Sequence, residues 1–172
     1  MNEQQSARPA ETPGDEAAAQ YLTFLVGDEV FAMEISAVRE IIQHGAVTPV
    51  PLMPNFVRGV INLRGSVVPV IDMKSRFGWG RAEVGKKTCI IIFDAIHSGE
   101  RVELGLMVDA VSEVVDIPGS KVEPPPQFGG AIRHEFIRGM GKLDGRFVII
   151  LEPQRALDIE EMAALTEQGQ LA

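Results

Sequence analysis

Apolar residues recur along this chain in short runs of strand length, broken by glycine and proline. Residues 21–26 and 30–33 flank Gly27-Asp28-Glu29, the pattern of a β-hairpin. Residues 36–42 read differently: Ser36 is a helix N-cap type, and Ile35, Val38 and Ile42 fall on one helical face, which predicts a short helix. Pro49, Pro51 and Pro54 then force an extended connection, because each fixes its own φ and biases the preceding residue away from helix. Pro54 can open a turn of helix over 55–58 that Gly59 ends. Residues 67–73 are β-branched and strand-like, with Pro69 marking an edge or a bulge. Further strands are predicted at 88–94, 102–108, 114–117 and 147–151, with a turn at 97–100. Pro118-Gly119 and Pro124-Pro125-Pro126 mark a long surface connection. After Pro153, Leu157, Met162 and Leu165 predict a terminal amphipathic helix, with residues 158–172 as a C-terminal helix or tail.

The two halves look duplicated. Arg58-Gly59-Val60-Ile61-Asn62-Leu63-Arg64-Gly65-Ser66-Val67-Val68 lies 80 residues before Arg138-Gly139-Met140-Gly141-Lys142-Leu143-Asp144-Gly145-Arg146-Phe147-Val148. Arginine, glycine, leucine, glycine and valine recur in register. Ala37-Val38-Arg39-Glu40-Ile41 likewise lies 73 residues before Ala110-Val111-Ser112-Glu113-Val114. Many short strands with Gly/Pro turns suggest small barrels. The expectation is an all-β chain with a few short helices, in two packed subdomains at about 21–80 and 88–155. The competing reading is that the shared pattern only marks a common turn-to-strand entry.

Composition narrows the function classes. At 172 residues the chain fits one domain or two intimate subdomains, on a prior of roughly 100–200 residues per domain. The net charge of −8 sits at the ends. Residues 1–20 carry four acids and one arginine, and 156–172 carry four acids and no base, so 21–155 is nearly neutral. Residues 1–20 lack Val, Ile, Leu and aromatics and are expected to be a disordered acidic tail. No basic run exceeds Lys86-Lys87, which argues against nucleic acid. Apolar runs end at five residues, against about 20 for a membrane span, and the polar first residues do not read as a signal peptide. One cysteine makes no internal disulfide, and a reducing cytoplasm is the default.

Chemistry is scarce. The stretch 80–88 nearly spells a phosphate loop, but Lys87 stands where the hydroxyl belongs and a strand pattern follows where a helix is required. Cys89 opens an Ile-rich strand and reads as a core thiol. His44, His97 and His134 are far apart and read as surface residues, so neither a metal, a cofactor nor a catalytic residue is expected. The alternative is a small β-barrel enzyme with a hidden carboxylate pair or nucleotide site. What stands out is Asn62-Leu63-Arg64-Gly65. Arg64 lies in an apolar neighbourhood, and a guanidinium there must find an acceptor or reach a surface. Glu40 is one candidate partner; a turn residue pointing to water is the other reading. Val38 and Ile41 flank Arg39 and Glu40, and an apolar patch rimmed by charge marks a partner surface.

From Tyr21 to about Leu165 the chain resembles the CheW family of chemotaxis coupling (scaffold) proteins. The most specific piece is residues 58–72. Val38-Arg39-Glu40-Ile41, Gly105-Leu106-Met107-Val108-Asp109-Ala110-Val111 and Gly139-Met140-Gly141-Lys142-Leu143 support it. The resemblance implies two SH3-like five-stranded β-barrels in a CheW-like domain at 21–157. It also implies a non-enzymatic, cytoplasmic adaptor, held at the inner face of the membrane in chemoreceptor arrays. The implied partners are the cytoplasmic tips of methyl-accepting chemoreceptors, the regulatory domain of the histidine kinase CheA, and other copies in array rings. Carried over by position, Arg64, Asn62, Leu63, Gly65 and Glu40 are the implied receptor contacts, and Val38, Ile41, Arg58 and Gly59 the implied kinase contacts. A related duty is a chemosensory-like pathway governing surface motility or gene regulation. A receiver of about 100–150 residues has no room beside this domain, which favours a stand-alone adaptor.

Overall fold

This computed structural model of the protein describes residues 19–125 and 137–153. The tail before residue 19, the end of the proline-rich connection and the predicted terminal helix lie outside them. The strands are β1 (Ala19–Val26), β2 (Glu29–Glu34), β3 (Val38–Gln43), β4 (Val57–Leu63), β5 (Ser66–Asp72), β6 (Cys89–His97), β7 (Glu100–Val108), β8 (Ala110–Ile117), β9 (Val122–Glu123), β10 (Ile137–Leu143) and β11 (Arg146–Leu151). One helical turn, α1 (Met73–Arg76), follows β5. The first strand begins at Ala19, two residues before the expected start of order, because Ala19 and Gln20 pair with Ile117 and Asp116 of β8.

Two sheets result, in the orders β8-β1-β2-β11-β10-β9 and β3-β6-β7-β5-β4. Each half of the chain supplies a hairpin, a lone strand and a second hairpin: β1–β2, β3, β4–β5, then β6–β7, β8, β10–β11. In each half the leading hairpin leaves its own partners and joins the other half's sheet. It docks there by a parallel contact, β2 on β11 and β7 on β5. The sheets therefore do not divide at residues 80–88 as expected. One holds 38–108, and the other joins 19–34 to 110–151. Sequence duplication marks the repeat, while sheet membership follows strand pairing, and the two boundaries differ.

The repeated motif proves structural. Both second hairpins carry a register shift at the arginine, between Val57 and Gly59 and between Ile137 and Gly139. At both glycines another chain segment passes too close for a side chain: an added Cβ would stand 2.1 Å from the Thr48 carbonyl oxygen at Gly59, and 3.0 Å from that of Glu123 at Gly139. Gly59 therefore ends no helix; residues 55 and 56 form a turn and β4 begins at Val57. Pro69 lies inside its sheet, where the ladder to β7 begins one residue later at Val70.

Strands buried on both faces explain the unbroken apolar runs. In β6, Ile91, Phe93 and Ala95 enter a core shared by the two sheets, while Ile90 and Ile92 enter a smaller core belonging to 38–108. Leu22, Phe24, Val26, Phe31 and Met33 meet the shared core from the other sheet. Each sheet also curls on itself. Ile42 and Ile61, from its two edge strands, share one small core, and Val115 and Val122, from the edges of the other sheet, share the second. Phe77 and Trp79, just after α1, stack on Phe31 of the exchanged hairpin at 5.0 and 6.1 Å between ring centroids. At the bulge in β8, where Ser112 and Glu113 oppose Thr23 of β1, the Thr23 hydroxyl donates to the Glu113 carbonyl and accepts from its N–H.

The predicted helix over 36–42 is instead a 3-10 turn, Ile35–Ala37, leading into β3. Pairing with β6 outweighs weak local helical preference, and Ser36 makes no capping bond.

Because each sheet contains strands from both halves, denaturant unfolding is expected to be a single cooperative transition, with fluorescence of Trp79 and far-ultraviolet dichroism coinciding. Separate transitions would contradict the exchange. Phe77→Ala should cost about 3–5 kcal/mol in the same titration, and a loss below about 1 kcal/mol would show the stack to be dispensable.

Candidate functional site

The hairpin β4–β5 closes with a two-residue loop, Arg64-Gly65, between the paired Leu63 and Ser66. Both loop residues have positive φ, 52° and 87°, the turn whose twist matches that of the strands. Glycine accepts this freely, but arginine does so at a cost of roughly 1–2 kcal/mol. Asn62 braces the loop: its Oδ1 accepts from the Gly65 N–H at 3.0 Å. Leu63 turns back against the small core of this subdomain. Of the Asn-Leu-Arg-Gly quartet, Arg64 is the long side chain that projects, at 64% exposed.

The partner is Glu40, to whose Oε1 the Arg64 Nη2 donates. Glu40 stands on β3, at the far edge of the same sheet from β4, so this ion pair spans the seam where the sheet curls on itself. The Arg64 hydrogen bond holds the Glu40 carboxyl below its ordinary pKa, aided by the fields of Arg64 and Arg39 against partial desolvation. The same bond raises Arg64, and Glu103 adds to it. Arg39 extends the cluster to Asp94 at 3.2 Å and Glu103 at 3.6 Å, and Arg101 approaches Asp94 at 3.6 Å. The group balances three arginines with three acids. Sequence reading missed Asp94, Glu103 and Arg101. The signal appears only once the register is known, because Asp94 and Glu103 face each other across β6 and β7, and like charges so placed need cations.

A bulge in β3 sets the neighbouring surface. Val38 pairs with Phe93 but Glu40 with Ile92, so Arg39 is the extra residue. Strict alternation would put Val38 and Ile41 on opposite faces. The bulge returns both to the face of Phe93 and Ile91, where Val38 packs on the shared core and Ile41 is 41% exposed.

Arg58 and Gly59 do not join that surface. Arg58 is 13% exposed, and its Nη1 donates to Asp72 Oδ2 at 3.3 Å and to the Ala82 carbonyl at 3.1 Å. Asp72 is fully buried and also accepts from the N–H groups of Ala82 and Ser75. The pair ties β4, β5, α1 and the connection to β6 together, and buried Gly59 lets the segment at Thr48, which bridges to Val60, approach. Both positions support the hairpin from within rather than lining its surface.

The remaining candidates offer little chemistry. Residues 80–88 lead into strand β6, so no helix N-terminus faces an anion there, and the Thr88 hydroxyl accepts from the Gly85 N–H at 2.8 Å. Cys89 is half-buried against the shared core, its thiol donating to the Lys87 carbonyl. Among the described residues no three His, Cys, Asp or Glu side chains gather as a metal site, and no helix is long and apolar enough to cross a membrane.

A model of the CheW-like domain matches residues 20–161. The chain is 33% identical over 150 residues to Chemotaxis protein CheW of Klebsiella aerogenes, covering 87% of this chain and 88% of that one. It is 36% identical over 145 residues to Chemotaxis protein CheW of Rhizobium meliloti, covering 84% and 91%. It also matches Protein FrzA of Myxococcus xanthus, 31% identical over 126 residues, covering 73% and 76%. The crystal structure of the scaffolding protein TtCheW from Thermoanaerobacter tengcongensis superposes with a TM-score of 0.71 at 36% identity, covering 78% of this chain and 84% of that one. With two β subdomains in one fold and the Arg64 hairpin at the seam of the first, the chain belongs to the CheW family of chemotaxis scaffold proteins.

Proposed function

We propose that this protein couples methyl-accepting chemoreceptors to the histidine kinase CheA without catalysing a reaction itself, as a cytoplasmic component of arrays at the membrane's inner face. The observation that carries this reading is the Arg64–Glu40 pair, held at a rigid hairpin tip beside exposed Ile41. An exposed ion pair contributes little to stability, so Arg64 can exchange Glu40 for a receptor carboxylate at small cost. The two-residue turn fixes where the guanidinium stands, which suits a docking residue whose geometry matters. Asn62 and Gly65 shape that turn, Leu63 anchors it, and Glu40 pre-orients the arginine. The receptor's helical tip lies near the groove between the subdomains. The kinase regulatory domain meets the Val38–Ile41 side, with Arg58 and Gly59 supporting from within.

Such an adaptor controls its kinase only if its contacts differ in free energy between the kinase-on and kinase-off arrangements. Weak individual contacts suffice, because simultaneous engagement in an array raises effective concentration. Similarity to Protein FrzA, whose name stands apart from the chemotaxis-protein series, supports a second reading in which the same adaptor serves a chemosensory-like pathway for surface motility or gene regulation. Tracking of swimming gradients by a deletion strain separates the two.

Arg64→Glu should abolish pull-down by receptor-bearing membranes while circular dichroism stays that of the wild type and the unfolding midpoint falls only slightly, through loss of the exposed Glu40 pair; retained receptor binding would defeat the assignment. Ile41→Glu should weaken binding of the kinase regulatory domain by about tenfold or more, as expected for an apolar contact at an interface centre, and leave receptor binding within about twofold. Equal losses for both partners would show one shared surface. The depressed Glu40 carboxyl contributes stability above its unfolded-state pKa that is lost as pH falls through the lower folded-state value. The difference in unfolding midpoint between wild type and Glu40→Gln should therefore be constant near neutrality and shrink toward zero in acid; a difference that grows in acid would contradict the pairing.

A further inference from the structure

The hairpin β10–β11 is the internal copy of the Arg64 hairpin, and its tip repeats the same backbone. Asp144 and Gly145 have φ of 52° and 77°, against 52° and 87° for Arg64 and Gly65. The side chains differ. Asp144 replaces the arginine, and the cations move to the flanks. Lys142 and Arg146 stand on the two strands, and Lys121 joins them from the turn before β9. With Phe147 they line a cleft of about 350 Å³. Phe147 is 52% exposed, at the position equivalent to Val67 in the first hairpin. Lys142 is already engaged, with its Nζ 3.2 Å from Glu123 Oε2 and 5.9 Å from the Phe147 ring centre. Among the described residues Lys121 and Arg146 have no ion-pair partner.

A half-exposed aromatic ring in a cleft that also holds two cations is suited to a ligand with both an anion and an apolar group. The carboxylates of Asp144 and Glu123 at the rim disfavour a continuous negative surface such as a lipid bilayer, but they tolerate discrete carboxylates placed between them. We propose that this cleft docks an acidic peptide segment of a partner protein, its carboxylates toward Arg146 and Lys121 and an apolar side chain on Phe147. The site lies on the subdomain opposite the Arg64 hairpin, where duplication has kept the backbone of the hairpin tip and exchanged its arginine for Asp144. The proposal does not depend on what binds at Arg64.

The test is fluorescence anisotropy of the full chain with a labelled peptide of repeating Glu-Glu-Leu, beside a Lys-Lys-Leu control. Arg146→Glu and Phe147→Ala should each weaken Glu-Glu-Leu binding by about fivefold or more, and added salt should weaken it further. Arg64→Glu should leave it within about twofold, and the control peptide should bind far less. Equal binding of both peptides, or indifference to Arg146→Glu and Phe147→Ala, would overturn the proposal. So would loss of binding on Arg64→Glu. Anionic phospholipid vesicles that depend on the same residues while the peptide does not bind would replace the peptide with a membrane. A peptide of this chain's own residues 156–172 that displaces the probe from the cleft more strongly than an acidic peptide of equal charge would replace the partner with self-docking.

Discussion

The fold depends on one constraint: strands that are apolar on both faces cannot be satisfied within their own half of the chain. Ile90 to Phe93 would leave one face wet in any single two-layer packing. Reciprocal exchange of hairpins solves this. Each leading hairpin completes the other half's sheet and carries its second face into the shared core of Phe24, Phe31, Ile91, Phe93 and Leu104. The aromatic stack of Phe31, Phe77 and Trp79 then fastens the first hairpin to the segment that follows β5. Two subdomains bound in this way hold their surfaces at fixed relative positions, which is what a protein acting by contact geometry requires.

The same closure places the candidate site. Curling brings β3 and β4, the two edges of one sheet, to a seam, and Glu40 and Arg64 meet across it. The interior of the seam is apolar, through Ile42 and Ile61, while its rim is an ion-pair cluster balanced in charge. Exposed ion pairs exchange partners at little cost, whereas the buried Arg58–Asp72 pair cannot be broken without stranding a buried charge. One arginine of the repeated motif region is thereby exposed in an exchangeable pair and the other is committed to structure, although the two are six residues apart on one hairpin.

Much of this was legible in the sequence. The turns at 27–29 and 97–100 located two hairpins, because positive φ at Gly27 and Gly99 has few other solutions; β4 and β10, the first strands of the other two hairpins, were not read as strands. Duplicated motifs announced two similar units, and Glu40 was named as a partner for Arg64. What failed did so for nonlocal reasons. Residues 36–42 carry an apolar spacing of three and four that suits a helix, and only pairing with β6 makes them a strand. The bulge at Arg39, which puts Val38 and Ile41 on one face, depends on that partner. That Arg58 turns inward onto buried Asp72 is likewise set by tertiary packing, which nothing in the local sequence reveals. Sheet membership crossed the repeat boundary because strand order is decided after the chain has turned back on itself.

The bridging role is tested most directly by reconstitution. Purified CheA and receptor-bearing membranes are combined with and without this protein, and sedimented kinase and phosphorylation activity are read together. A bridge should carry the kinase into the membrane pellet and make its activity respond to receptor ligand, with both effects absent for Arg64→Glu. Kinase that sediments and responds equally without the protein, or a protein that turns over substrate by itself, would contradict the role.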